Sequence, residues 1–347
     1  MADRIYLDHA ATTPVLPEAR AAMAEALGHW ANPSSPHSEG RAARAALEDA
    51  RARIKAALGW SHELIFTGGA SEAAALALGR AKLPTRAISA VEHDCVRRAA
   101  PDATVIGVDA AGLADIDAIP RHALVAIQSV NSETGVIQPL DAIAAAIRAH
   151  GGLWLADAAQ SAGKLPLPDA DLMIVSAHKL GGPPGIGALL VKDLASIAPT
   201  GGQEKGYRGG TENLPAAIGF AAALDARGSR EPLVHLRRQL DEGVRRAGGS
   251  IVAEQSARLP EIASYRLPGV PAAAQLIELD MAGISVSAGS ACSSGTLKPS
   301  QVLTAMGWTE EEAREVIRVS IAPQTSLEEV ERFLDAWTGL ANRRRAA

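Results

Sequence analysis

Short apolar segments alternate with helical ones from about residue 39 to residue 191, and this alternation constrains the fold most strongly. Apolar runs of strand length separated by helices are typical of βαβ units, in which buried strands lie mostly parallel. The pattern predicts helices over 41–58, ending at Gly59, over 71–78 and over 141–149. Strands are predicted over 63–67, 87–90, 123–128, 153–156, 171–176 and 187–191.

The pattern changes after residue 214, where long helical segments replace the alternation. The polar stretch 227–232 interrupts them and indicates a break between helices near Leu233. A second region follows, with apolar segments over 262–267, 271–279 and 284–287 and a last helix from Leu327. We therefore predict a large domain over 14–233 and a smaller domain formed by 1–13 and 234–347.

Composition and charge argue against several classes of protein. The 347 residues carry a net charge of −5, whereas a general nucleic-acid binder usually presents a basic field. No apolar run approaches the roughly 20 residues of a membrane helix, and the N-terminus lacks the apolar stretch of a signal peptide. Two cysteines cannot build a disulfide framework and fit a reducing compartment. We expect a cytoplasmic protein that binds neither nucleic acid nor membranes.

In a parallel α/β sheet, ligands bind at the carboxyl ends of the strands, so the residues after each strand are the first candidates. The loop 67–72 contains Gly68 and Gly69, which let the backbone turn tightly and approach a ligand. Ser71 is expected to cap the next helix, whose N–H groups and dipole favour an anion. A plain strand-to-helix turn with a serine cap is the alternative.

Asp157 and Lys179 follow two neighbouring predicted strands, and the 22-residue step between them is the length of one strand–helix–strand unit. A lysine in a semi-buried site becomes an amine nucleophile, and a carboxylate can hold a cationic ring nitrogen. Together with the anion loop, this pair fits pyridoxal 5′-phosphate bound to Lys179 as a Schiff base. A helix cap or salt bridge for Asp157 and a surface position for Lys179 are the alternatives. Gln160, one helical turn on, could reach the same ligand.

Three further residues have side chains suited to chemistry. His93 follows a predicted strand and could stack on a planar cofactor and move protons, with a structural role as the alternative. Cys292 lies in a loop of small polar residues. Such a loop suits a thiol that attacks a substrate and delivers the group it takes up better than a thiol packed in the core. Arg318 interrupts a short apolar strand and needs an anion, either a substrate carboxylate or a buried acidic side chain. For Cys95 a structural role is favoured.

These segments together resemble the cysteine desulfurases, in the class V aminotransferase-like branch of fold-type I pyridoxal-phosphate enzymes. The resemblance implies an α/β fold: a mostly parallel seven-stranded sheet between helices, with a smaller α+β C-terminal domain. The extended cysteine loop is similar to that of group I members. The motifs that carry the likeness cover 7–14, 32–37, 66–72, 92–93, 131–138, 157–164, 176–189, 201–213 and 287–299.

The resemblance also implies a role for each site residue. Lys179 anchors the cofactor and later moves protons, while His93 stacks on the ring and acts as acid or base. Asp157 holds the ring nitrogen and Gln160 the phenolic oxygen. Thr211 reaches the phosphate bound by the partner subunit, which implies a homodimer. The phosphate site is formed by Gly69, Ala70, Ser71, Ser176 and His178, and the substrate site by Asn131, Ser132 and Arg318.

The implied activity is the removal of sulfur from L-cysteine, which gives L-alanine and a persulfide on Cys292. The sulfur then passes to an acceptor protein such as an iron–sulfur scaffold or serves other thio-cofactors. No metal is required, and contact between Cys292 and an iron–sulfur cluster during transfer is a secondary expectation. Ser132 departs from the family, which usually has a second asparagine there. The alternatives are another class V enzyme, an aminotransferase or selenocysteine lyase, and a non-catalytic sulfur-carrier scaffold.

Overall fold

The structure is a computed structural model that describes residues 4–29, 31–289 and 299–346. The strands within these ranges are β1 (Ile5–Tyr6), β2 (Glu63–Thr67), β3 (Thr85–Ser89), β4 (Thr104–Ile106), β5 (Ala123–Ala126), β6 (Leu153–Asp157), β7 (Leu172–Ser176), β8 (Gly187–Val191), β9 (Ser250–Ile251), β10 (Ile262–Arg266), β11 (Ile284–Ser285) and β12 (Val316–Ser320). The α-helices there are α1 (Pro17–Leu27), α2 (Ser38–Leu58), α3 (Ala70–Arg80), α4 (Asp94–Ala99), α5 (Leu140–Ala149), α6 (Leu214–Asp225), α7 (Glu231–Arg246), α8 (Ala272–Met281), α9 (Gln301–Ala305), α10 (Glu310–Ala313) and α11 (Leu327–Ala346).

Seven strands form the central sheet in the order β2-β8-β7-β6-β5-β3-β4. The strands from β7 to β4 pair in parallel, whereas β8 is antiparallel to both β2 and β7. Successive strand residues point to opposite faces, and both faces are buried. Helices α2, α5 and α6 pack on one face, and α3 and α4 on the other. The predicted α/β fold with a mostly parallel seven-stranded sheet is confirmed.

Most predicted boundaries agree with the structure within one to three residues. The strands predicted over 63–67 and 187–191 are β2 and β8 without change. Helix α2 ends at Gly59 as predicted, but it begins at Ser38 because the His37 ring accepts a hydrogen bond from the Gly40 N–H at 3.2 Å. The prediction that Ser71 caps α3 was wrong, because the chain turns at Gly69 and the helix already begins at Ala70.

A second group of elements surrounds a separate hydrophobic core. It contains the antiparallel sheet β12-β10-β9 and the parallel pair β1-β11. Helix α7 begins at Glu231 and buries Leu233, Leu236, Leu240 and Val244 in this core, which α8 and α11 also line. The division into domains over 14–233 and over 1–13 with 234–347 stays a prediction.

The N-terminal segment runs from the second core to the end of the central sheet. Its strand β1 pairs with β11, and the Leu7 carbonyl accepts the Ser320 N–H at 2.8 Å. Further along, the Thr13 N–H donates to the carbonyl of His178 at 2.8 Å. Residues 10 and 11 are thereby held beside Lys179. No helix in the described ranges combines the length and apolar character that crossing a bilayer requires.

Candidate active site

A cavity of about 420 Å³ opens where the parallel strands of the central sheet end, and we call it the strand-end cavity. Loops that follow β2, β3, β5, β6 and β7 contribute its walls, as expected for an α/β sheet. Of the residues singled out from the sequence, Asn131, Arg318 and Thr211 do not line it, and Cys292 lies outside the described residues. Those that do are Gly69, Ala70, Ser71, His93, Ser132, Asp157, Gln160, Ser176, His178 and Lys179.

Lys179 lies in a single helical turn, Ala177–Lys179, directly after β7. Its side-chain Nζ donates hydrogen bonds to the carbonyl oxygens of Ala10 and Ala11, the latter at 2.8 Å. Burial lowers the pKa of Lys179 to about 8, and the cationic Arg318 and Lys164 act in the same direction. A fraction of the amine is therefore neutral and nucleophilic near neutral pH, as Schiff-base chemistry needs.

Asp157 is the last residue of β6, and its side chain is buried. Its Oδ1 accepts the N–H of Ala159 at 2.9 Å, and burial raises its pKa although His93 and Lys179 act against the rise. Gln160 donates from Nε2 to the Ala10 carbonyl at 2.9 Å. Its buried Oε1 has no hydrogen-bond partner among the described residues, and a hydroxyl group on a ligand would satisfy it.

His93 forms the N-cap of α4, so its ring has a fixed position. Its Nδ1 accepts the N–H of Cys95 at 3.2 Å and lies 3.1 Å from the Cys95 Sγ. Burial lowers the pKa of His93, although the Asp157 carboxylate opposes this. The imidazole is therefore neutral at neutral pH, and because Nδ1 is an acceptor, the proton is on Nε2.

The loop between β2 and α3 approaches strand β8 so closely that side chains are excluded. Gly69 has a φ of 137°, a conformation that other residues rarely adopt. A Cβ atom on Gly187 would lie 2.8 Å from the Gly69 Cα and 2.5 Å from the Val175 carbonyl oxygen. The first turn of α3, with Ser71 as its second residue, therefore lies at the edge of the cavity, where its N–H groups favour an anion.

Two further polar residues line the cavity near Lys179. Ser176 is the last residue of β7, and the His178 Nδ1 lies 3.2 Å from the Thr12 Oγ1. Burial lowers the pKa of His178 to about 4, so its imidazole is neutral and would bind a phosphate through a hydrogen bond. Thr211 is exposed and lies away from this cavity.

Asn131 and Ser132 have different surroundings although they are adjacent. The Asn131 Oδ1 accepts the N–H groups of Glu133 and Thr134, both at 2.9 Å, and its Nδ2 donates to the Val91 carbonyl at 3.2 Å. Its amide is thus occupied in holding a turn. Ser132 lines the strand-end cavity instead. The structure therefore brings only the second of these two candidates to the cavity.

Arg318 is buried in β12 and forms an ion pair with Asp8, in which Nη2 lies 2.7 Å from Oδ1. Its Nη1 donates to the Ser132 carbonyl at 3.1 Å. The Nε atom has no hydrogen-bond partner among the described residues. The buried acidic partner, one of the two options considered from the sequence, is therefore present, and the Nε–H of the guanidinium has no partner among the described residues and is left for another anion.

Sequence reasoning gave no role to Gln128 and Glu92 near this site and favoured a structural role for Cys95. Cys95 lines the cavity, where burial raises the pKa of its thiol to about 12 and keeps it protonated. Gln128 also lines the cavity, and its N–H donates to the buried Glu92 carboxyl at 2.7 Å. Burial raises the pKa of Glu92 well above its usual range. Glu92 and Gln128 lie at the ends of predicted strands, so the same strand-end rule could have found them.

The residues around the cavity fit pyridoxal 5′-phosphate. The cavity presents a lysine amine with a lowered pKa, a buried carboxylate in Asp157 and the unpaired amide oxygen of Gln160. The glycine-lined start of α3 suits the phosphate. Within the described ranges, no three His, Cys, Asp or Glu side chains come together as a metal site.

Comparisons with known proteins show the family to which the chain belongs. The family described as Aminotransferase class-V matches residues 5–333. A cysteine desulfurase of Gluconacetobacter diazotrophicus is 36% identical, over 97% of this chain and 93% of that protein. The solved NifS-like protein from Rickettsia africae superposes with a TM-score of 0.89 and 31% identity, over 98% of this chain and 99% of that one. An SspA structure in complex with cysteine gives a TM-score of 0.80 and 30% identity, over 93% and 100% of the two chains. The chain therefore belongs to the class-V aminotransferase family, in its cysteine desulfurase branch.

Proposed function

We propose that this protein is a cysteine desulfurase that uses pyridoxal 5′-phosphate to convert L-cysteine to L-alanine and holds the sulfur as a persulfide on Cys292. The observation that carries the proposal is Lys179, whose amine has a pKa of about 8 and which lines one cavity with Asp157 and His93. The names of the relatives and the cysteine complex of SspA support L-cysteine as the substrate.

Bound pyridoxal 5′-phosphate would supply an aldehyde that combines with amines and a ring that accepts electrons from the substrate Cα. Lys179 would hold the aldehyde carbon, Asp157 the ring nitrogen and Gln160 the phenolic oxygen. His93 would stack on the ring. The phosphate would contact Gly69, Ala70, Ser71, Ser176 and His178.

Lys179 would also move protons once the substrate amine has displaced it. As a neutral amine its Nζ can take the proton from the substrate Cα, and as an ammonium it can return one. A pKa of about 8 makes both forms accessible near neutral pH. The His93 Nε2, which carries the ring proton, is a second candidate acid.

Arg318 would bind the substrate carboxylate through its Nε–H, which has no partner among the described residues, whereas Nη2 already pairs with Asp8 and Nη1 donates to the Ser132 carbonyl. Ser132 would present its hydroxyl to the substrate where family members usually have an asparagine. Asn131 would instead act indirectly, by holding the turn that positions Ser132.

Cys292 would then take the sulfur. Its thiolate attacks the substrate sulfur, an S–S bond forms, and the electron pair of the broken C–S bond stays with carbon. Protonation of the carbon fragment gives L-alanine, and the persulfide passes to an acceptor such as an iron–sulfur scaffold or serves other thio-cofactors. The longer cysteine loop, similar to group I members, suits delivery to a protein partner.

Incubation of the purified protein with L-cysteine and a thiol reductant tests the proposal. L-alanine and sulfide should form in equal amounts, and Cys292→Ala should stop sulfide release but keep the visible cofactor band. Full activity of Cys292→Ala would contradict the mechanism. A keto acid product, or activity with selenocysteine alone, would favour another class V enzyme. A colourless protein that the cofactor cannot reconstitute would favour a scaffold.

We propose further that the protein is a cytoplasmic homodimer. Thr211 supports this, because it is exposed and away from the strand-end cavity of its own chain. The two cysteines, too few for a disulfide framework, support the reducing compartment. Light scattering should give twice the chain mass of 35.8 kDa. Thr211→Val should weaken cofactor binding without changing that mass.

A further inference from the structure

A second cavity, of about 340 Å³, adjoins Lys179, and none of the roles proposed above uses it. We call it the rear cavity. Among the described residues, only Lys179 lines both cavities. The rear cavity lies between the N-terminal segment, the loop after Gln160, the break between α6 and α7, and residues 321–324. It therefore contacts both groups of elements.

The rear cavity contains an acidic side chain with an unused oxygen. Glu261 is only 4% exposed, and its Oε1 pairs with the Nε of Arg230. Its Oε2 has no hydrogen-bond partner among the described residues. A buried carboxylate oxygen without a donor is unfavourable, so a ligand that brings a donor would be stabilised here.

A basic side chain without a partner lines the same cavity. The Lys164 ammonium forms no ion pair and no hydrogen bond with any residue in the described ranges. Burial lowers the pKa of Lys164 to about 8, while the charge of Glu261 acts against the lowering. Arg230 adds a second cation, held by Glu261 and the Lys164 carbonyl. An anionic group on a ligand would pair with Lys164.

Most of the remaining wall is aliphatic; its other polar groups are Thr13, Gln324 and the guanidinium of Arg227, which donates to the carbonyls of Gly163 and Ala57. Leu16, Leu180, Ile262 and Ile321 line the rear cavity, and His9 adds a ring whose pKa burial lowers to about 4, so that it is uncharged. An inorganic anion would leave the Oε2 of Glu261 without a donor and the aliphatic walls in contact with water. A small zwitterion with an apolar side chain would satisfy both charges and cover the aliphatic wall.

We propose that the rear cavity binds a small aliphatic α-amino acid, with its carboxylate on Lys164 and its ammonium on the free Oε2 of Glu261. This inference does not depend on the desulfurase activity. Binding would also affect the neighbouring site. Lys164 is one of the cations that lower the pKa of Lys179, and a carboxylate on Lys164 would offset that effect.

Calorimetry on the cofactor-loaded protein tests the proposal with N,N-dimethylglycine as the probe. This tertiary amine is a zwitterion with one N–H donor, and it cannot condense with the cofactor aldehyde. Saturable binding at constant ionic strength is expected. Isobutyrate, which has a similar size but no ammonium, should bind more weakly.

Variants of the two charged residues should change affinity in distinct ways. Lys164→Met should weaken the binding of both probes about tenfold or more, since charged hydrogen bonds contribute roughly 1.5–3 kcal/mol. Glu261→Gln should weaken the binding of dimethylglycine but strengthen the binding of isobutyrate. Misfolding cannot produce opposite changes in the two affinities. Lys82→Met, at an exposed lysine, is the matched control and should change neither affinity.

Three outcomes would overturn the proposal. The first is the absence of saturable binding to the loaded protein. The second is equal affinity in Lys164→Met and Lys82→Met. The third is binding that is lost in Arg318→Gln but kept in Lys164→Met, since the probe would then occupy the proposed substrate site. The assay does not measure cysteine turnover, so its result is separate from the test of desulfurase activity.

Discussion

The amine of Lys179 is surrounded by groups that act on its charge in opposite directions. Burial and the cations Arg318 and Lys164 favour the neutral amine, whereas the carboxylates Asp157 and Asp8 favour the ammonium. The balance leaves a pKa of about 8. The carbonyl oxygens of Ala10 and Ala11 accept its hydrogen bonds, so the amine is held in position while its charge can change.

Cofactor uptake should therefore depend on pH. Only the neutral amine attacks an aldehyde, so below the Lys179 pKa of about 8 the uptake rate should fall about tenfold per pH unit. Stopped-flow mixing of stripped protein with pyridoxal 5′-phosphate between pH 6 and 9, followed at the visible band, measures this rate. Lys164→Met should move the midpoint upward, and the exposed-site control Lys82→Met should not. A rate independent of pH would contradict the prediction.

At the scale of single residues, the sequence predicted site residues at positions where a polar side chain directly follows an apolar run of strand length. Asp157 and Lys179 were found this way, and the structure brings both to the strand-end cavity. The rule could not separate Asn131 from Ser132, because both follow the same strand. Which of them faces the cavity depends on a turn held by the Asn131 amide, and hydrophobic pattern does not encode such hydrogen bonds.

Among the secondary-structure elements, the contact between β8 and the loop before α3 should control phosphate binding. In Gly187→Ala the new methyl group would clash with backbone at Gly69 and Val175, and the loop must move. A displaced loop loses its alignment with the phosphate, so the dissociation constant of the cofactor should rise about tenfold or more. Equilibrium dialysis with pyridoxal 5′-phosphate measures it.

Gly79→Ala provides the matched control for that substitution. Gly79 lies inside α3, and an added Cβ would meet nothing within 4 Å. Alanine should stabilise the helix by roughly 0.5–1 kcal/mol and leave cofactor affinity unchanged. An equal loss of affinity in both variants would mean that the close approach at Gly187 is not what positions the loop.

A buried ion pair connects α2, β2 and the turn at residues 204–206. Arg51 contacts both carboxylate oxygens of Glu204, at 2.7 and 2.9 Å, and the same carboxylate accepts the Phe66 N–H at 2.8 Å. Glu204→Ala should destabilise the protein by about 3–5 kcal/mol, because it leaves the Arg51 charge buried without its main partner. Urea unfolding followed by circular dichroism measures this loss.

The exposed ion pair between Arg53 and Asp225 offers a comparison on the same helix. Asp225→Asn should change the free energy of unfolding by less than about 1 kcal/mol, because water screens this pair. Similar losses in Asp225→Asn and Glu204→Ala would contradict the importance given to burial.

The boundaries of strands and helices could be predicted from the sequence where a buried segment forms a clear apolar run. Strands β2 and β8 are almost entirely buried, and their apolar runs begin and end at polar or glycine neighbours. Strand β4 was missed because it has only three residues, and its two apolar residues, Val105 and Ile106, are too few to indicate a strand. Ser71 was misassigned as a cap because the backbone conformation at Gly69 decides where α3 begins.

At the scale of the whole molecule, the α/β class followed from the alternation of strands and helices, but the order of the strands did not. Strand β8 follows β7 along the chain and lies antiparallel to it, between β7 and β2. Hydrophobic pattern marks β8 as buried without fixing its direction or its neighbours. The N-terminal segment likewise contacts Lys179 through hydrogen bonds from the Lys179 side chain to its backbone carbonyls, which no residue pattern reveals.

The predicted division into two domains can be tested directly by removing one of the buried hydrogen-bonding groups of the second core. The buried Tyr265 hydroxyl donates to the Asp241 Oδ1 at 2.7 Å and accepts from the Arg237 Nη1 at 2.6 Å. Tyr265→Phe would leave both partners without one hydrogen bond. This should lower the stability of the second core by about 1–3 kcal/mol. Hydrogen exchange should accelerate about tenfold in β10, β12 and α7 and stay unchanged in β5 to β8.

Tyr207→Phe is the matched control, because its hydroxyl donates to the Leu194 carbonyl at 3.1 Å beside the central sheet. It should leave exchange in β10 and β12 unchanged. If Tyr265→Phe instead accelerates exchange equally in all segments, the protein unfolds as one unit, and the division at residue 233 is wrong. A selective effect would mean that the second core opens while the central sheet stays folded. The N-terminal segment would then be one of the places where the two meet, since it pairs with β11 and holds Lys179.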